Sequence, residues 1–325
     1  MTSQSKNRGD DQSAVLREAD GLLVGGDMHE AQPEAAIRLY TQAVDAGSGP
    51  AAARLAVLAA MGVARPANWE EALDRLVQAA EFSDRNAQRQ LMVLADREDA
   101  LPTSSLAWKK LRGDIDLERL LAPPSIRSVS MAPAILLIDG LATKAMCRWI
   151  IARGRHRLQI NKILDFASGE QVLDPIRTGL GAPFGICDTD IVMTLVQERL
   201  ARASRLMVHQ QEPPFLLSYE PGQQYLPHFD FLDPGVASFG GQLEVMGQRV
   251  ATCLTWLNDD YEGGETEFPR IGFRHRGRPG DAMLFLNVTP DHRPDPLTLH
   301  AGLAPTRGRK WLLSHWVRDR VQPIQ

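Results

Sequence analysis

The chain has only three cysteines, Cys147, Cys187 and Cys253, far apart and without Cys-x-x-Cys spacing. That excludes a disulfide framework or a cysteine-rich structural zinc site and fits a reducing compartment. Charge of one sign is also missing: 36 Lys and Arg stand against 40 Asp and Glu, a net charge of −4. A nucleic-acid-binding surface covering the whole protein is therefore not expected. No uninterrupted apolar run approaches the length that spans a bilayer. The start of the chain, MTSQSKNRGDDQS, lacks the apolar core of a secretion signal. The expectation is a cytoplasmic protein with neither membrane nor nucleic acid as a partner. What remains is the composition of a folded protein, 44% hydrophobic and 23% charged, with room in 325 residues for two domains.

The first third overlays itself when shifted by 36 residues. Ala36, Ile37, Gln42 and Ala43 fall on Ala72, Leu73, Gln78 and Ala79, and Ala51, Leu55 and Leu58 fall on Ala87, Leu91 and Leu94. Within each copy the small and apolar residues recur at helical spacing, and AGSGP and VARPAN supply breaks between helices. Two helices per copy at this period predict an α-solenoid. The segments AIRLYTQAVDAG and EALDRLVQAAEFSDRNAQRQL resemble Sel1-like repeats, relatives of the tetratricopeptide repeat. Such arrays present concave surfaces to peptides or proteins. The expected organisation is a flexible tail over 1–12, helical repeats over 13–121, a Pro- and Ser-rich linker over 122–133 and a second domain over 134–322.

That second domain opens with a short strand, AILLID, and two helices. From 213 onward short β segments dominate, punctuated by Gly, Pro and Asp, which predicts a sandwich or barrel. In YEPGQQYLPHFDF, His228 and Asp230 are two apart, and on an extended chain their side chains point the same way. His300, on a distant segment, supplies a third donor. Two histidines and one carboxylate on one face of an iron leave three positions open, the arrangement of non-haem Fe(II) oxygenases. Lys310 follows His300 by ten residues, across GLAPTRGR. If that stretch is a hairpin, Lys310 returns on the neighbouring strand, where a buried ammonium needs an anionic partner such as a dicarboxylate. The alternative is a solvated turn lysine. His29, His156, His209, His275, His292 and His315 show no second metal spacing, and Gly263 and Gly264 predict a tight turn.

Together these motifs resemble the 2-oxoglutarate- and Fe(II)-dependent dioxygenases, and more narrowly the prolyl 4-hydroxylase catalytic domain. The matching stretches are YEPGQQYLPHFD, QRVATCLTWLND, GGETEFP, GDAMLFLN and HAGLAPTRGRKW, with weaker matches in IDGLATKAMCRWI and PIRTG, so that the likeness covers about 130–320. It implies a double-stranded β-helix (jelly-roll) core with flanking helices. The whole is thus a multidomain chain, an α-solenoid followed by an α+β oxygenase. The resemblance assigns iron to His228, Asp230 and His300, and the distal carboxylate of 2-oxoglutarate to Lys310. Tyr219 matches a tyrosine that lines the cosubstrate pocket, although a core aromatic is an equal reading. Arg249 and Trp316 match positions bordering the active site, and strand alternation puts Trp316 on the face of Lys310. Trp256 stands where some relatives have tyrosine, so that it either shapes the substrate pocket or belongs to the core.

The cofactor set implied is Fe(II), 2-oxoglutarate, O2 and ascorbate as reductant, with release of succinate and CO2. Halogenating relatives replace the carboxylate ligand with a small residue, so Asp230 implies hydroxylation. The target implied is a prolyl residue in a protein or peptide, which the helical repeat would help to hold. Two alternatives stay open: the same chemistry on a free amino acid or small metabolite, or a repeat scaffold with an inactive oxygenase domain.

Overall fold

The computed structural model describes residues 3–26, 30–98, 100–165, 170–173 and 176–324. They divide into two compact units. One comprises residues 1–122 together with Gly185–Leu195, and the other comprises Pro123–Phe184 and Val196–Pro323.

The first unit is helical: α1 (Ser3–Val24), α2 (Pro33–Asp45), α3 (Gly49–Met61), α4 (Trp69–Glu81), α5 (Arg85–Leu94), α6 (Ser105–Asp114) and α7 (Leu117–Leu121). Helices α2 and α4 begin 36 residues apart, as do α3 and α5. The starts of α3 and α5 are fixed by side-chain caps at equivalent places. Ser48 accepts from the Ala51 amide and Asp84 from the Ala87 amide, each satisfying a donor that the first helical turn leaves open. Four alanines that recur at this period, Ala36, Ala51, Ala72 and Ala87, are fully buried. Gly49 shows how close the packing is, since a Cβ there would lie 2.9 Å from the Asp84 Cβ. Two expectations change. Helix α1 begins at Ser3, so the tail expected over 1–12 is helical from there on; the segment contains no proline to stop it. Gly185–Leu195 also groups with the helices, where the buried Gln90 side chain accepts from the Ile191 amide at 2.9 Å.

The second unit begins with β1 (Ser125–Met131), β2 (Ala134–Asp139), α8 (Lys144–Gly154), β3 (Gln159–Ile160), β4 (Lys162–Asp165), β5 (Glu170–Leu173) and β6 (Leu180–Pro183). Helix α9 (Ile191–Ser204) leads to β7 (Phe215–Tyr219), β8 (Tyr225–His228), α10 (Gly240–Met246) and β9 (Arg249–Trp256). The chain then runs through β10 (Glu262–Gly263), β11 (Thr266–Phe268), β12 (Phe273–His275) and β13 (Ala282–Leu286). It ends with β14 (His300–Gly302), β15 (Pro305–Arg307) and β16 (Lys310–Arg318).

Eight strands form one sheet in the order β1-β2-β13-β9-β16-β7-β6-β3, and four form a second in the order β12-β11-β14-β8. Every pairing is antiparallel, and the two sheets make the jelly-roll core. Strands β9, β13 and β16 are buried along nearly their whole length, as their apolar sequences require. Leu254, Trp256, Met283, Phe285 and Leu312 of the large sheet pack with Phe268 of the small one.

The expected linker over 122–133 is instead β1, paired to β2 with Ser125 opposite Asp139. It is an edge strand exposed over its first four residues, which is why serines and an arginine serve there. The expected hairpin between His300 and Lys310 is also absent. Strand β14 lies in the small sheet and β16 in the large one, with β15 between them paired to β10. Pro305 lacks the amide that a continuous ladder would need, and the chain crosses from one sheet to the other.

Candidate active site

The two sheets face each other across a cleft of roughly 410 Å³. The small sheet contributes the histidines. His228 on β8 and His300 on β14 are direct cross-strand partners, with ring centroids 4.3 Å apart. Asp230 follows two residues on, its Oδ1 3.6 Å from His228 Nε2 and its Oδ2 3.5 Å from His300 Nε2. One donor atom from each of the three lies within 4.8 Å of the others.

The ring orientations are fixed from behind. His228 Nδ1 meets the Leu226 carbonyl at 2.8 Å and His300 Nδ1 meets the Thr298 carbonyl at 2.9 Å. A carbonyl only accepts, so each Nδ1 carries the proton and each Nε2 presents its lone pair to the cleft. Tyr225 stacks on His228 at 3.4 Å, and Phe285 and Phe268 pack on His300 at 4.8 and 5.6 Å. Burial, reinforced by His228, holds the His300 pKa down at about 4, so its ring is neutral at pH 7. Burial alone would raise the Asp230 pKa, but His300, His228 and Arg249 outweigh it and keep the carboxyl well below the usual range. A neutral His300 beside a second imidazole and a carboxylate suits a divalent iron.

The large sheet supplies the opposite wall, where Lys310, Leu312, Ser314 and Trp316 line the cleft from alternate positions of β16. Lys310 is 1% exposed and donates to the Gly264 carbonyl at 2.7 Å. Burial lowers its pKa to about 7, with Glu265 pulling upward and Arg276 downward. The carbonyl reaches it because Gly264 adopts a φ of +69°, and a Cβ there would lie 3.3 Å from the lysine Cδ. Tyr219 pairs with Lys310 across β7 and β16, lines the cleft, and has its ring centroid 5.8 Å from the ammonium. Thr266 Oγ1 and Trp316 Nε1, also in the cleft, are buried with no hydrogen-bond partner among the described residues. A carboxylate-bearing ligand would give Lys310 its anion and Thr266 its acceptor.

Two expected positions fall elsewhere. Trp256 is fully buried among Ile135, Tyr261 and Met283, its ring edge against His275, and is not among the residues lining the cleft. Leu254, two residues earlier on the same face, lines the cleft. Arg249 also lies outside the lining. Its Nε and Nη2 hold both oxygens of Glu212 at 2.6 and 2.9 Å while its guanidinium covers Trp316 at 4.4 Å. Arg318, wholly buried, shares the same carboxylate at 2.5 Å. Glu212→Ala leaves two arginines in the interior without their anion, and we expect a loss of about 3 kcal/mol in stability, read by denaturant unfolding.

Arg177, Thr252, Thr266 and Asn287 were not singled out from the sequence. All four are buried. Arg177 lies between Phe215 and Tyr225 at 4.9 and 5.0 Å and lines the cleft with two guanidinium nitrogens unpartnered among the described residues. Strand alternation from Leu254 pointed to Thr252, but its partner Asn287 is 35 residues away. Of the remaining histidines, His29 lies outside the described residues and the others join no metal-binding cluster among them.

A jelly roll with histidine at the end of one strand, an aspartate just beyond it, histidine on the neighbouring strand and a buried lysine opposite is the framework of an Fe(II)- and 2-oxoglutarate-dependent oxygenase. Comparison with known proteins agrees. Residues 214–318 match the 2OG-Fe(II) oxygenase superfamily. Prolyl 4-hydroxylase 1 of Arabidopsis thaliana is 31% identical over 207 residues, covering 59% of this chain and 71% of the relative. Probable prolyl 4-hydroxylase 6 of the same plant is 30% identical, covering 61% and 73%. Among solved structures, the 2OG complex of a viral collagen prolyl hydroxylase from Paramecium Bursaria Chlorella virus-1 is 23% identical with a TM-score of 0.44, covering 56% of this chain and 94% of that one. The chain belongs to the prolyl 4-hydroxylase family of 2OG-Fe(II) oxygenases. It is a 2-oxoglutarate-dependent dioxygenase that uses Fe(II) and O2.

Proposed function

We propose that the protein hydroxylates prolyl residues in a protein or peptide. The observation that carries this reading is an intact donor set, His228, Asp230, His300 and Lys310, in a chain matching a prolyl 4-hydroxylase along 71% of that relative's length. His228 Nε2, His300 Nε2 and the Asp230 carboxylate would hold Fe(II). Lys310 and Thr266 would receive the distal carboxylate of 2-oxoglutarate, with Tyr219 and Trp316 as walls. When bound, iron, O2 and cosubstrate would supply an oxidant strong enough for an unactivated C–H bond, one oxygen atom of O2 going to succinate as 2-oxoglutarate loses CO2 and the other to the substrate; ascorbate would keep the iron ferrous. The chain's own part is to orient these groups and to present the substrate.

Arg177 supports a peptide target. Its unpartnered N–H groups, held between two aromatic rings, suit a backbone carbonyl arriving at the cleft. The helical repeat, read as Sel1-like, is the part suited to holding a protein substrate by its surface. Free cysteines favour a reducing, cytoplasmic setting, and among the described residues no helix is long and apolar enough to cross a membrane.

The test is succinate formation with Fe(II), 2-oxoglutarate and ascorbate while mass spectrometry follows a panel of proline-containing peptides. One oxygen added to proline for each succinate is the expected result. Succinate with no modified peptide redirects the search to a free amino acid or small metabolite. Absence of Fe(II) and 2-oxoglutarate binding leaves the scaffold reading.

A further inference from the structure

A carboxylate has two oxygens, and the number that bind the metal decides how many positions remain. With both histidines and one carboxylate oxygen in place, three of six positions are open. A chelating 2-oxoglutarate takes two of them and leaves one. If both Asp230 oxygens bound, nothing would be left. We propose that Thr252, oriented by Asn287, occupies one oxygen of Asp230 and so restricts this residue to one-oxygen ligation. The inference rests on the iron reading above.

Thr252 Oγ1 donates to Asp230 Oδ2 at 2.8 Å, and Asn287 Nδ2 donates to Thr252 Oγ1 at 2.9 Å. A hydroxyl has one proton. With the asparagine N–H on its lone pair, that proton is directed at the carboxylate. The opposite amide orientation would turn the Asn287 oxygen towards Thr252, draw the proton away, and leave oxygen facing oxygen at Asp230. Both side chains are wholly buried, so water is not at hand to replace either bond. The asparagine backbone is itself fixed: its N–H donates to the Val250 carbonyl at 2.8 Å, and its carbonyl accepts from Asp295 at 3.0 Å. The hydrogen bond to an ionised oxygen belongs to the stronger class. Oδ2 is thereby engaged and Oδ1 is left for the metal. Thr252 and Asn287 are positioning residues, acting through Asp230.

The test uses the full chain titrated with Co(II), an air-stable stand-in for Fe(II) whose visible absorption reports coordination, and then with 2-oxoglutarate. Thr252→Val removes the hydroxyl at constant shape, Thr252→Ser restores it, and Asn287→Leu removes only its orientation. Wild type and Thr252→Ser should give the same Co(II) spectrum and the same 2-oxoglutarate affinity. Thr252→Val should still bind Co(II) but with an altered spectrum, and should bind 2-oxoglutarate about tenfold more weakly, the lower end of what losing an outer-shell partner costs. Asn287→Leu should fall between. A Thr252→Val protein with the wild-type spectrum and cosubstrate affinity overturns the inference while leaving the iron reading intact. A wild type that takes up no Co(II) overturns both. If Thr252→Val does not fold by circular dichroism, Asn287→Leu decides on the same two readouts.

Discussion

Asp230→Ala will abolish succinate formation and remove tight Fe(II) binding. The carboxylate is the one anionic donor of the three, and His228 and His300 alone give iron two neutral nitrogens and no charge. The loss should go well past the roughly 10–100-fold that an outer-shell substitution costs. Equilibrium dialysis of Fe(II) and succinate release measure it directly. An Asp230→Ala protein retaining a tenth of wild-type turnover would show that the carboxylate is not needed to hold the metal. His228→Ala makes the companion measurement. A protein whose only task is to bind a partner should keep that partner and have no metal-dependent turnover to lose.

Lys310→Met should move two quantities in opposite directions. In the absence of an anion the lysine is buried and bonded to one carbonyl, and burial lowers its pKa to about 7. Methionine fills much the same volume without that electrostatic cost, so the ligand-free protein should gain about 1–2 kcal/mol in stability. The 2-oxoglutarate complex loses the partner of a buried carboxylate, which costs about 3 kcal/mol, or on the order of 10²-fold in Kd. Denaturant unfolding and cosubstrate titration separate the two. A variant that is less stable and binds 2-oxoglutarate as before would make Lys310 a packing residue.

The same chemistry fixes the sign of a pH effect. Binding the dianion requires a charged ammonium, so above pH 7 the wild type must take up a proton as it binds. Its affinity for 2-oxoglutarate should therefore weaken with rising pH, by about tenfold per unit once the amine is mostly neutral. In Lys310→Met this slope should vanish.

The residues that proved legible in the sequence are those whose signal is local. The apolar runs of β9, β13 and β16 announce central strands, and the two-residue spacing of His228 and Asp230 marks a shared site even though β8 ends at His228. The 36-residue period likewise sets the helix starts at Pro33, Gly49, Trp69 and Arg85. Strand β1 was illegible because an edge strand carrying Ser125, Ser128 and Ser130 has the composition of a linker. The course from His300 to Lys310 reads equally as a hairpin or a sheet crossing, since both use Gly and Pro; only the pairing of β15 with β10 distinguishes them. Arg249 carried no local sign that Glu212, 37 residues earlier, would engage it. Trp256 and Leu254 share a face, and alternation alone does not say which of two neighbours on that face reaches the cleft.

That sheet crossing has a mechanical side. The ten-residue step from His300 to Lys310 carries the chain from one wall to the other, and a molecule gripped at one end by iron and at the other by the lysine retraces that step through space. On the proposed reading the cosubstrate would be a rivet between the plates of the barrel, consumed in every cycle. Each turnover would break a tie that the next 2-oxoglutarate renews, leaving the two walls joined by the chain that crosses between them and by the bond from Lys310 to the Gly264 carbonyl.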